Sequence, residues 1–354
     1  MGKRIAVVGT GALGGYVGGY LAQAGLDVTL IDFWPENIEV IRKRGLELDG
    51  VTPEEKFTVT KAKTMHLTEM QDLSRQKPID IAFVSMKSYD TEWATALIKQ
   101  YLAPDGYVVS LQNCLNEERI AGVVGWGKTV GMVASLISVD MYEAGRIRRT
   151  VSKGGDKHTV FRVGEVHGRI TKRVEELREM VGMIDSAKTT TNLWGERWSK
   201  LCQNGMKNGV SAATGMTGVD CDRNDAVRRF SIKLGGEAVR VGQALGYHIE
   251  KIGKFEPELL ARASEGDKLA LDEVEAILRP GSNTNPNPRA DIQRPSMAQD
   301  IIKGRRTEIE FMNGYIAERG DFIGVKAPTH AKLTEIVKKV ERKELQPSAS
   351  LLGG

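Results

Sequence analysis

A lysine and two asparagines recur at a spacing of four residues in the segment SKLCQNGMKNG. If this segment is helical, Lys200, Asn204 and Asn208 lie on one face, over about 12 Å at ~1.5 Å per residue. Asparagine and glycine are poor residues for a helix interior, so either a polar ligand or hydrogen bonds to neighbouring loops would compensate. Gly205 and Gly209 lack side chains, which would let a ligand or a second helix approach the backbone.

A second candidate stretch is RPSMAQDIIKGRRTEIEFMNG, which contains both polar and charged residues. Ser296 followed by Gln299 has the pattern of a capping box, which predicts a helix N-cap role for Ser296. By its spacing alone, Glu308 is predicted to lie on a solvated, salt-bridged helix face.

Six residues near the N-terminus form a glycine-rich loop directly after the apolar run RIAVV. In this pattern the first glycine permits a tight turn, the second lets the backbone approach a pyrophosphate, and the third lets a helix pack closely on a strand. The free N–H groups of that helix would bind the phosphates. The predicted cofactor-binding residues here are Gly9, Thr10, Gly11, Ala12, Leu13 and Gly14.

Asp32 ends the next predicted strand, where a carboxylate accepts from the ribose 2′-hydroxyl of NAD and repels the 2′-phosphate of NADP. It could also cap the helix that follows, and the two roles are compatible. Arg42 and Lys43 lie nearby in sequence and could favour NADP. The sequence predicts NAD, with NADP as the alternative.

The elements that position these residues follow from hydrophobic patterning over 354 residues. In the first half, strands at 4–8, 27–32, 80–86 and 106–113 alternate with helices at 35–44 and 91–102, which indicates a parallel, doubly wound sheet. The runs TVGMVASLISV and HTVFRVGEV are predicted to be later strands of the same domain.

Helical periodicity replaces strand patterns after about residue 186. We therefore predict a Rossmann domain at 1–190, a helical domain at 191–345 and a frayed tail at 346–354, with a polar, proline-rich loop at 279–289. The predicted helices of the second domain are 193–213, 224–246, 256–278, 296–318 and 329–343.

Composition and residue patterns predict no nucleic-acid, metal or membrane-spanning site. The net charge of +4 argues neither for nor against nucleic-acid binding. A basic cluster around Arg146–Lys157 has no interleaved aromatic residues, so it is predicted to be a solvated hairpin. Three scattered cysteines and five scattered histidines predict no metal site and a reducing compartment, taken as the cytoplasm. The uncharged run 5–26 contains seven glycines, which favours strand, turn and helix over a signal peptide or membrane span.

Taken together, the motifs resemble those of the ketopantoate reductase (2-dehydropantoate 2-reductase) family over roughly residues 3–343. The resemblance depends on the ordered set GTGALGG, SMKSYDT, LQNCLNEE and VGEVHG in the first half. In the second half it depends on WSKLCQNGMKNGVSAATG, RPSMAQDIIKGRRTEIEFMNGYI and GVKAPTHAKLTEIVKKVE.

The resemblance implies an α/β fold: an N-terminal Rossmann sheet and an all-helical C-terminal domain like that of 6-phosphogluconate dehydrogenase, with the chemistry in the cleft between them. It also implies a nicotinamide cofactor and a small keto acid or hydroxy acid substrate. By resemblance, the catalytic residues are Lys200 and Glu308, the substrate-binding residues are Asn113, Asn204, Asn208 and Ser296, and Lys87 and Asn113 line the nicotinamide side.

This sequence departs from the family pattern in two ways that concern function. NADPH is usual in the family, whereas Asp32 argues for NAD, and the stretch TGMTGVD lacks an asparagine that the family often carries there. An NAD-dependent catabolic dehydrogenase of another hydroxy acid is therefore one alternative, and a non-catalytic NAD-binding sensor is a second. A homodimer is plausible, and no membrane or nucleic-acid partner is predicted.

Overall fold

The computed structural model describes residues 2–279 and 294–353, which form two compact units divided after Leu193. The predicted loop at 279–289 lies almost entirely outside the described residues. The strands of the first unit are β1 Arg4–Val8, β2 Asp27–Asp32, β3 Leu46–Asp49, β4 Phe57–Val59, β5 Lys63–His66, β6 Ile79–Val84, β7 Leu102–Ser110, β8 Thr129–Ala134, β9 Val139–Glu143, β10 Arg146–Arg149, β11 Phe161–Glu165 and β12 Ala187–Thr189. Its helices are α1 Ala12–Gln23, α2 Pro35–Arg44, α3 Thr91–Lys99, α4 Glu117–Val124 and α5 Lys172–Gly182.

Eight of these strands form one sheet in the order β12-β11-β8-β7-β6-β1-β2-β5. All neighbours are parallel except β8 and β11, which pair antiparallel. Both faces of β1 are buried: Ile5 and Val7 belong to one apolar cluster, while Ala6 and Val8 belong to the cluster on the other face. A sheet buried on both faces is the doubly wound architecture that the patterning predicted, and β2 and α2 have the predicted bounds.

A second, four-stranded sheet has the order β4-β3-β10-β9 and was not predicted. The basic hairpin forms, but it is not fully solvated, because Arg149 is 0% exposed. The Arg149 guanidinium lies 2.6 Å from the carboxylate of Asp185 and donates to the Val151 carbonyl. The sequence prediction therefore missed that one of the five basic residues stabilises the interior, where a charge requires a partner.

The second unit contains only helices and turns among its described residues, apart from one isolated bridge between Ile252 and Phe255. Trp198 is completely buried, and its indole N–H donates to the Ala238 carbonyl at 2.9 Å. The helices are α6 Leu193–Thr214, α7 Gly218–Arg223, α8 Asp225–Ala244, α9 Pro257–Ser264, α10 Lys268–Leu278, α11 Ser296–Ile302, α12 Tyr315–Ile323 and α13 Pro328–Glu341, with a π-helical turn at Glu310–Gly314.

Three predictions for this unit were wrong. The helix expected over 256–278 is two helices, because Gly266 has a φ of +98° and ends the first of them. The helix expected over 296–318 is interrupted between Ile302 and Ile309. The tail is ordered at its end: a 3₁₀ turn at Ala349–Leu351 precedes Leu352, which is 4% exposed. None of the helices in the described residues is long and apolar enough to cross a membrane.

Candidate active site

The loop after β1 has the geometry that the glycine pattern requires. Gly9 has a φ of +99°, and a Cβ there would lie 2.7 Å from the sulfur of Met86. A Cβ on Gly14 would lie 2.1 Å from the Gly9 carbonyl oxygen, so α1 packs against the loop at a distance that only glycine allows. At Gly11, by contrast, no atom lies within 4 Å of a built Cβ. This open side is where a pyrophosphate would approach the backbone.

The start of α1 fits a phosphate. No side chain of the described residues caps the helix at Gly11, and its first turn contains no acidic residue. Ala12 and Leu13 lie in that first turn, whose N–H groups have no partner four residues earlier within the helix. The Thr10 hydroxyl donates inward to the Ile31 carbonyl at 3.1 Å, so the Thr10 side chain fixes the loop. These features together fit the pyrophosphate of a dinucleotide.

Asp32 lies at the end of β2, adjacent to this loop, and is held by two hydrogen bonds. One carboxylate oxygen accepts from the Trp34 backbone N–H and the other from the Asn37 side-chain amide, both at 3.1 Å. The same amide nitrogen donates to the Thr10 carbonyl at 3.1 Å. Burial raises the pKa of Asp32 above its ordinary value, because the charged form loses hydration. Asp32 therefore orders the start of α2, which is one of the two roles the sequence allowed, and its carboxyl group lies beside the glycine loop.

Arg42 pairs with acidic residues other than Asp32. Its guanidinium pairs with Glu39 at 3.0 Å and also with Glu69, and it donates to the Thr64 carbonyl at 3.2 Å. An arginine bound to two carboxylates has less capacity to bind a 2′-phosphate. Of the two basic residues that could favour NADP, this one is already neutralised.

Lys87 and Asn113 follow the two strands on the other side of β1. Lys87 precedes a 3₁₀ turn after β6, and Asn113 lies three residues after the end of β7. The Asn116 side-chain amide links their loops: it donates to the Asn113 carbonyl at 2.8 Å and to the Ser88 hydroxyl at 3.1 Å. All of the predicted cofactor residues therefore follow the carboxyl ends of β7, β6, β1 and β2, which are adjacent in the sheet. This edge is where open α/β sheets bind ligands.

In the helical unit, α6 is continuous and places Lys200, Asn204 and Asn208 on one side, as predicted. The two glycines serve helix packing. A Cβ on Gly205 would lie 3.3 Å from the imidazole of His330, and a Cβ on Gly209 would lie 2.9 Å from a methyl group of Leu333. Each glycine lies roughly 100° around the helix from the preceding asparagine. Of the two explanations offered for the glycines, the approach of a second helix is the one observed.

Glu308 does not lie on a solvated helix face, which corrects that expectation. It is 5% exposed and occupies a bend immediately before the π-helical turn. On one side, Thr307 is anchored by its hydroxyl to the Glu341 carboxylate at 3.0 Å. On the other side, the side chain of Ile309 packs against Gly209 on α6. The Glu308 backbone is thereby fixed beside the segment of α6 that contains Asn208.

The capping box predicted at Ser296 is absent. The helix α11 begins at Ser296, its N-cap residue is Pro295, and no side chain caps it. The Gln299 side chain donates instead to the Arg294 carbonyl at 2.9 Å. Arg294 in turn donates to the Gly215 carbonyl at 3.2 Å, just beyond the end of α6. Ser296 is exposed at the start of a helix that is tied to the end of α6.

Sequence reasoning missed three buried polar residues that position these groups. Asn37 is 0% exposed and joins Asp32 to the glycine loop, as described above. Asn313 and His330 are also 0% exposed, and the Asn313 amide donates both to the Gly205 carbonyl on α6 and to His330 Nδ1, each at 3.0 Å. For Asn313 and His330 the signal available in the sequence was a polar residue beside apolar helical positions, where such residues need a buried partner; Asn37 lies in the charged helix PENIEVIRKR and gave no such signal.

Residues 2–279 and 294–353 contain no cluster of metal-binding side chains. No group of three or more histidine, cysteine, aspartate or glutamate side chains there could hold a metal ion. The three cysteines are free and buried.

Comparisons with known proteins agree with this architecture. The chain matches the family model described as ketopantoate reductase PanE/ApbA over residues 5–160 and its C-terminal counterpart over residues 192–341. It is 28% identical to the 2-dehydropantoate 2-reductase of Pyrococcus horikoshii, over 96% of this chain and 97% of that protein. The structure of a PanE/ApbA family ketopantoate reductase from Ralstonia eutropha JMP134 is similar, with a TM-score of 0.75, 25% identity and coverage of 96% and 99%. D-mandelate dehydrogenase, solved with NADH and anilino(oxo)acetate, shares the fold with a TM-score of 0.77, 20% identity and coverage of 96% and 98%.

The doubly wound sheet, its glycine loop and the helical second unit define a nicotinamide-dependent oxidoreductase. More specifically, the chain belongs to the ketopantoate reductase family, since the two family models together cover most of its length.

Proposed function

We propose that this protein catalyses the reduction of a 2-keto acid to a 2-hydroxy acid, with 2-dehydropantoate as the substrate. The observation that carries the proposal is the family match over both units, in a chain that retains Lys200, Asn204 and Asn208 on one side of α6. The bound nicotinamide supplies the hydride. The side chains of this protein bind the substrate, orient it and supply the proton.

In this proposal Lys200 is the proton donor. Negative charge develops on the carbonyl oxygen during reduction, and an ammonium group beside that oxygen stabilises the charge and donates the proton. Glu308 holds the lysine in its charged form or orients the product hydroxyl. Its anchored backbone, fixed through Thr307 and Ile309, supports such a positioning role.

The remaining residues bind the substrate and the nicotinamide. Asn204 and Asn208 offer amide groups that pair with polar substrate atoms without adding charge, and Ser296 binds the carboxylate end of the substrate. Lys87 and Asn113 line the nicotinamide side. Their loops, linked through the Asn116 amide, support a pre-ordered arrangement.

Lys200→Ala tests the proton donor, and Lys207→Ala is the matched control. Lys207 lies on the same helix and pairs with Asp222 at 3.3 Å. Loss of the donor is expected to lower kcat about 100-fold or more, while the dissociation constant for NADH stays unchanged. The control is expected to retain kcat. Equal activity of the two variants would remove Lys200 from the chemistry.

We also propose NAD as the preferred cofactor, on the basis of the Asp32 carboxyl and the engagement of Arg42. Its fixed position between Trp34 and Asn37 supports contact with the ribose 2′-hydroxyl, and the engagement of Arg42 by Glu39 and Glu69 supports weak binding of a 2′-phosphate. The test compares kcat/KM for NADH and NADPH in the wild type, in Asp32→Asn and in the control Asp27→Asn at the other end of β2. A wild-type preference for NADPH, unchanged in Asp32→Asn, would contradict the assignment.

One alternative is an NAD-dependent dehydrogenase that oxidises another small hydroxy acid, which an NAD preference through Asp32 would favour. A panel of keto and hydroxy acids, assayed by absorbance at 340 nm with both cofactors, separates the two substrate assignments. Tight NADH binding without turnover of any acid in the panel would instead favour a non-catalytic sensor.

We further propose a homodimer and a cytoplasmic location. Support for the homodimer comes from one similar structure, the ketopantoate reductase of Staphylococcus aureus, which is described as dimeric (TM-score 0.66, 17% identity). Three free cysteines support a reducing compartment. Light scattering coupled to gel filtration gives the molar mass and so tests the homodimer. Fractionation of cells tests the cytoplasmic location.

A further inference from the structure

Two neighbouring loops of the Rossmann unit contain unusual backbone conformations. Among the described residues, four that are not glycine have positive φ, and three of these follow β7 or β8: Cys114 at +64°, Leu136 at +56° and Ser138 at +33°. The strands β7 and β8 are parallel neighbours, so both loops lie at the carboxyl edge of the sheet. A left-handed conformation is costly for a bulky residue such as leucine, and strain of this kind clusters at functional sites.

The loop after β8 is anchored on both sides of Leu136. The Ser135 N–H donates to the Val160 carbonyl at 2.9 Å, and Ile137 is 7% exposed within the apolar cluster on one face of the sheet. The Ser138 carbonyl accepts from the Thr150 N–H at 3.0 Å. Anchoring at these positions holds the loop in its strained shape.

Leu136 itself contributes little to the core, because its side chain is 59% exposed. The strained backbone therefore presents an apolar side chain outward, in a fixed place. An exposed leucine in this conformation stabilises neither the loop nor the sheet, whereas glycine or asparagine would fit the backbone better. A functional contact explains why a leucine stands there.

The order of the sheet locates that contact. Asp32 follows β2, the glycine loop follows β1, Lys87 follows β6, Asn113 follows β7 and Leu136 follows β8, and these five strands are consecutive neighbours. At ~4.8 Å per strand, β8 lies about 14 Å from β1. The adenosine ribose belongs at Asp32 and the pyrophosphate at the glycine loop, so the nicotinamide half extends towards β6 and β7. The end of β8 is the next position in this series.

We propose that Leu136 is a specificity-determining residue that contacts the branched, apolar part of the keto acid substrate. The inference depends on the proposed reductase function and deepens it, because it assigns a residue of this chain to the apolar part of the substrate. The anchored loop holds the Leu136 backbone in position before substrate binds, which lowers the cost of ordering the loop.

The test compares kcat/KM for 3-methyl-2-oxobutanoate, which is branched, with kcat/KM for pyruvate, which is not. Leu136→Asn keeps a residue that tolerates the left-handed conformation and removes the apolar contact. It is expected to lower the ratio of the two kcat/KM values about tenfold or more, with the NADH dissociation constant unchanged. The control Leu269→Asn removes an exposed leucine from the helical unit and is expected to leave the ratio unchanged.

A second variant separates specificity from folding. Leu136→Gly relieves the positive φ, so its melting temperature is expected to be equal to or above that of the wild type, while its substrate ratio falls as in Leu136→Asn. An unchanged ratio in both variants, with active wild-type enzyme, would overturn the inference alone. No turnover of either acid, or of 2-dehydropantoate, by the wild type would overturn the proposed function and this inference with it.

Discussion

His330→Gln is expected to change the pH dependence of the free energy of unfolding. His330 is completely buried, its Nε2–H donates to the Leu234 carbonyl at 2.8 Å, and its Nδ1 accepts from the Asn313 amide at 3.0 Å. This pattern requires the neutral imidazole. Burial lowers the pKa of His330 from 6.5 to about 4, because the site excludes water from the charged form.

The sign and size of the effect follow from this shift. The unfolded chain binds the proton with the ordinary histidine pKa, so the stability is fully present above about pH 6.5 and is lost as the pH falls towards 4. At pH 4.5 the loss is about 2.5 kcal/mol, at ~1.4 kcal/mol per pKa unit. Glutamine does not titrate, so His330→Gln is less stable than the wild type by about 2 kcal/mol at pH 7 and about equal to it at pH 4.5.

Urea unfolding at pH 7 and pH 4.5, followed by circular dichroism, measures both differences. Glu237 accepts from the His330 backbone N–H at 3.3 Å, but it is present in both proteins, so its titration cancels. The control is Leu333→Ala, a fully buried neighbour that packs on Gly209 and is expected to lose the same free energy at both pH values. A wild-type advantage over His330→Gln that is equal at the two pH values would refute the neutral, buried imidazole.

Two further outcomes are expected. Gly209→Ala is expected to lower the free energy of unfolding by about 1–3 kcal/mol, because its Cβ would lie 2.9 Å from Leu333 and 3.0 Å from Ile309. Gly205→Ala is expected to lose less, because its Cβ would meet its nearest atom at 3.3 Å and alanine has the higher helix propensity. Equal urea midpoints for the two variants would contradict this packing. Since burial raises the pKa of Asp32, the preference for NADH over NADPH is expected to weaken as the pH falls, from a higher pH than an ordinary aspartate would give. The 2′-phosphate of NADPH titrates in the same range, so the ratio of kcat/KM for NADH to that for NADPH is measured in both the wild type and Asp32→Asn. The phosphate contributes equally to both proteins. The same pH profile of this ratio in the two proteins would contradict a role for the Asp32 charge.

Much of the Rossmann unit was predictable because its local signals agree with one another. Pro35 begins α2 where a proline is best tolerated, and apolar residues on both faces of β1 and β6 indicate strands covered on two sides. The glycine loop was equally clear, because its three glycines have the fixed spacing of a dinucleotide-binding turn between a strand and a helix. The small second sheet was missed, since β3 and β4 are short and β3 pairs with β10, which lies about 100 residues further along the chain.

The helical unit was less predictable where a few residues end or redirect a helix. Apolar periodicity continues through 296–318, yet Gly304 takes a φ of +64° after α11, and the chain resumes helical geometry only at Ile309. Periodicity reports which side of a segment is apolar and does not report a break that keeps the same side buried. Glu308 was placed on a solvated face for this reason.

The site could be predicted as residue types and positions, but its supporting contacts could not. Spacing placed Lys200, Asn204 and Asn208 on one side of α6, because four residues make about one helical turn. The partners of Asn37, Asn313 and His330 come from elements that are 5 to 108 residues away in sequence. Hydrogen bonds over such separations depend on tertiary packing, which no local pattern encodes.

The packed side and the polar side of α6 are separate, which affects how mutations can change substrate preference. One flank of the helix, at Gly205 and Gly209, is fixed by tight steric fit, while the asparagines occupy a different flank a quarter-turn or so away. Exchanges at the half-buried Asn204 therefore leave the interlocked flank undisturbed, whereas Asn208 is only 9% exposed and a replacement there must fit its surroundings. A directed library at Asn204 should consequently yield mostly well-folded variants, and one at Asn208 should yield fewer.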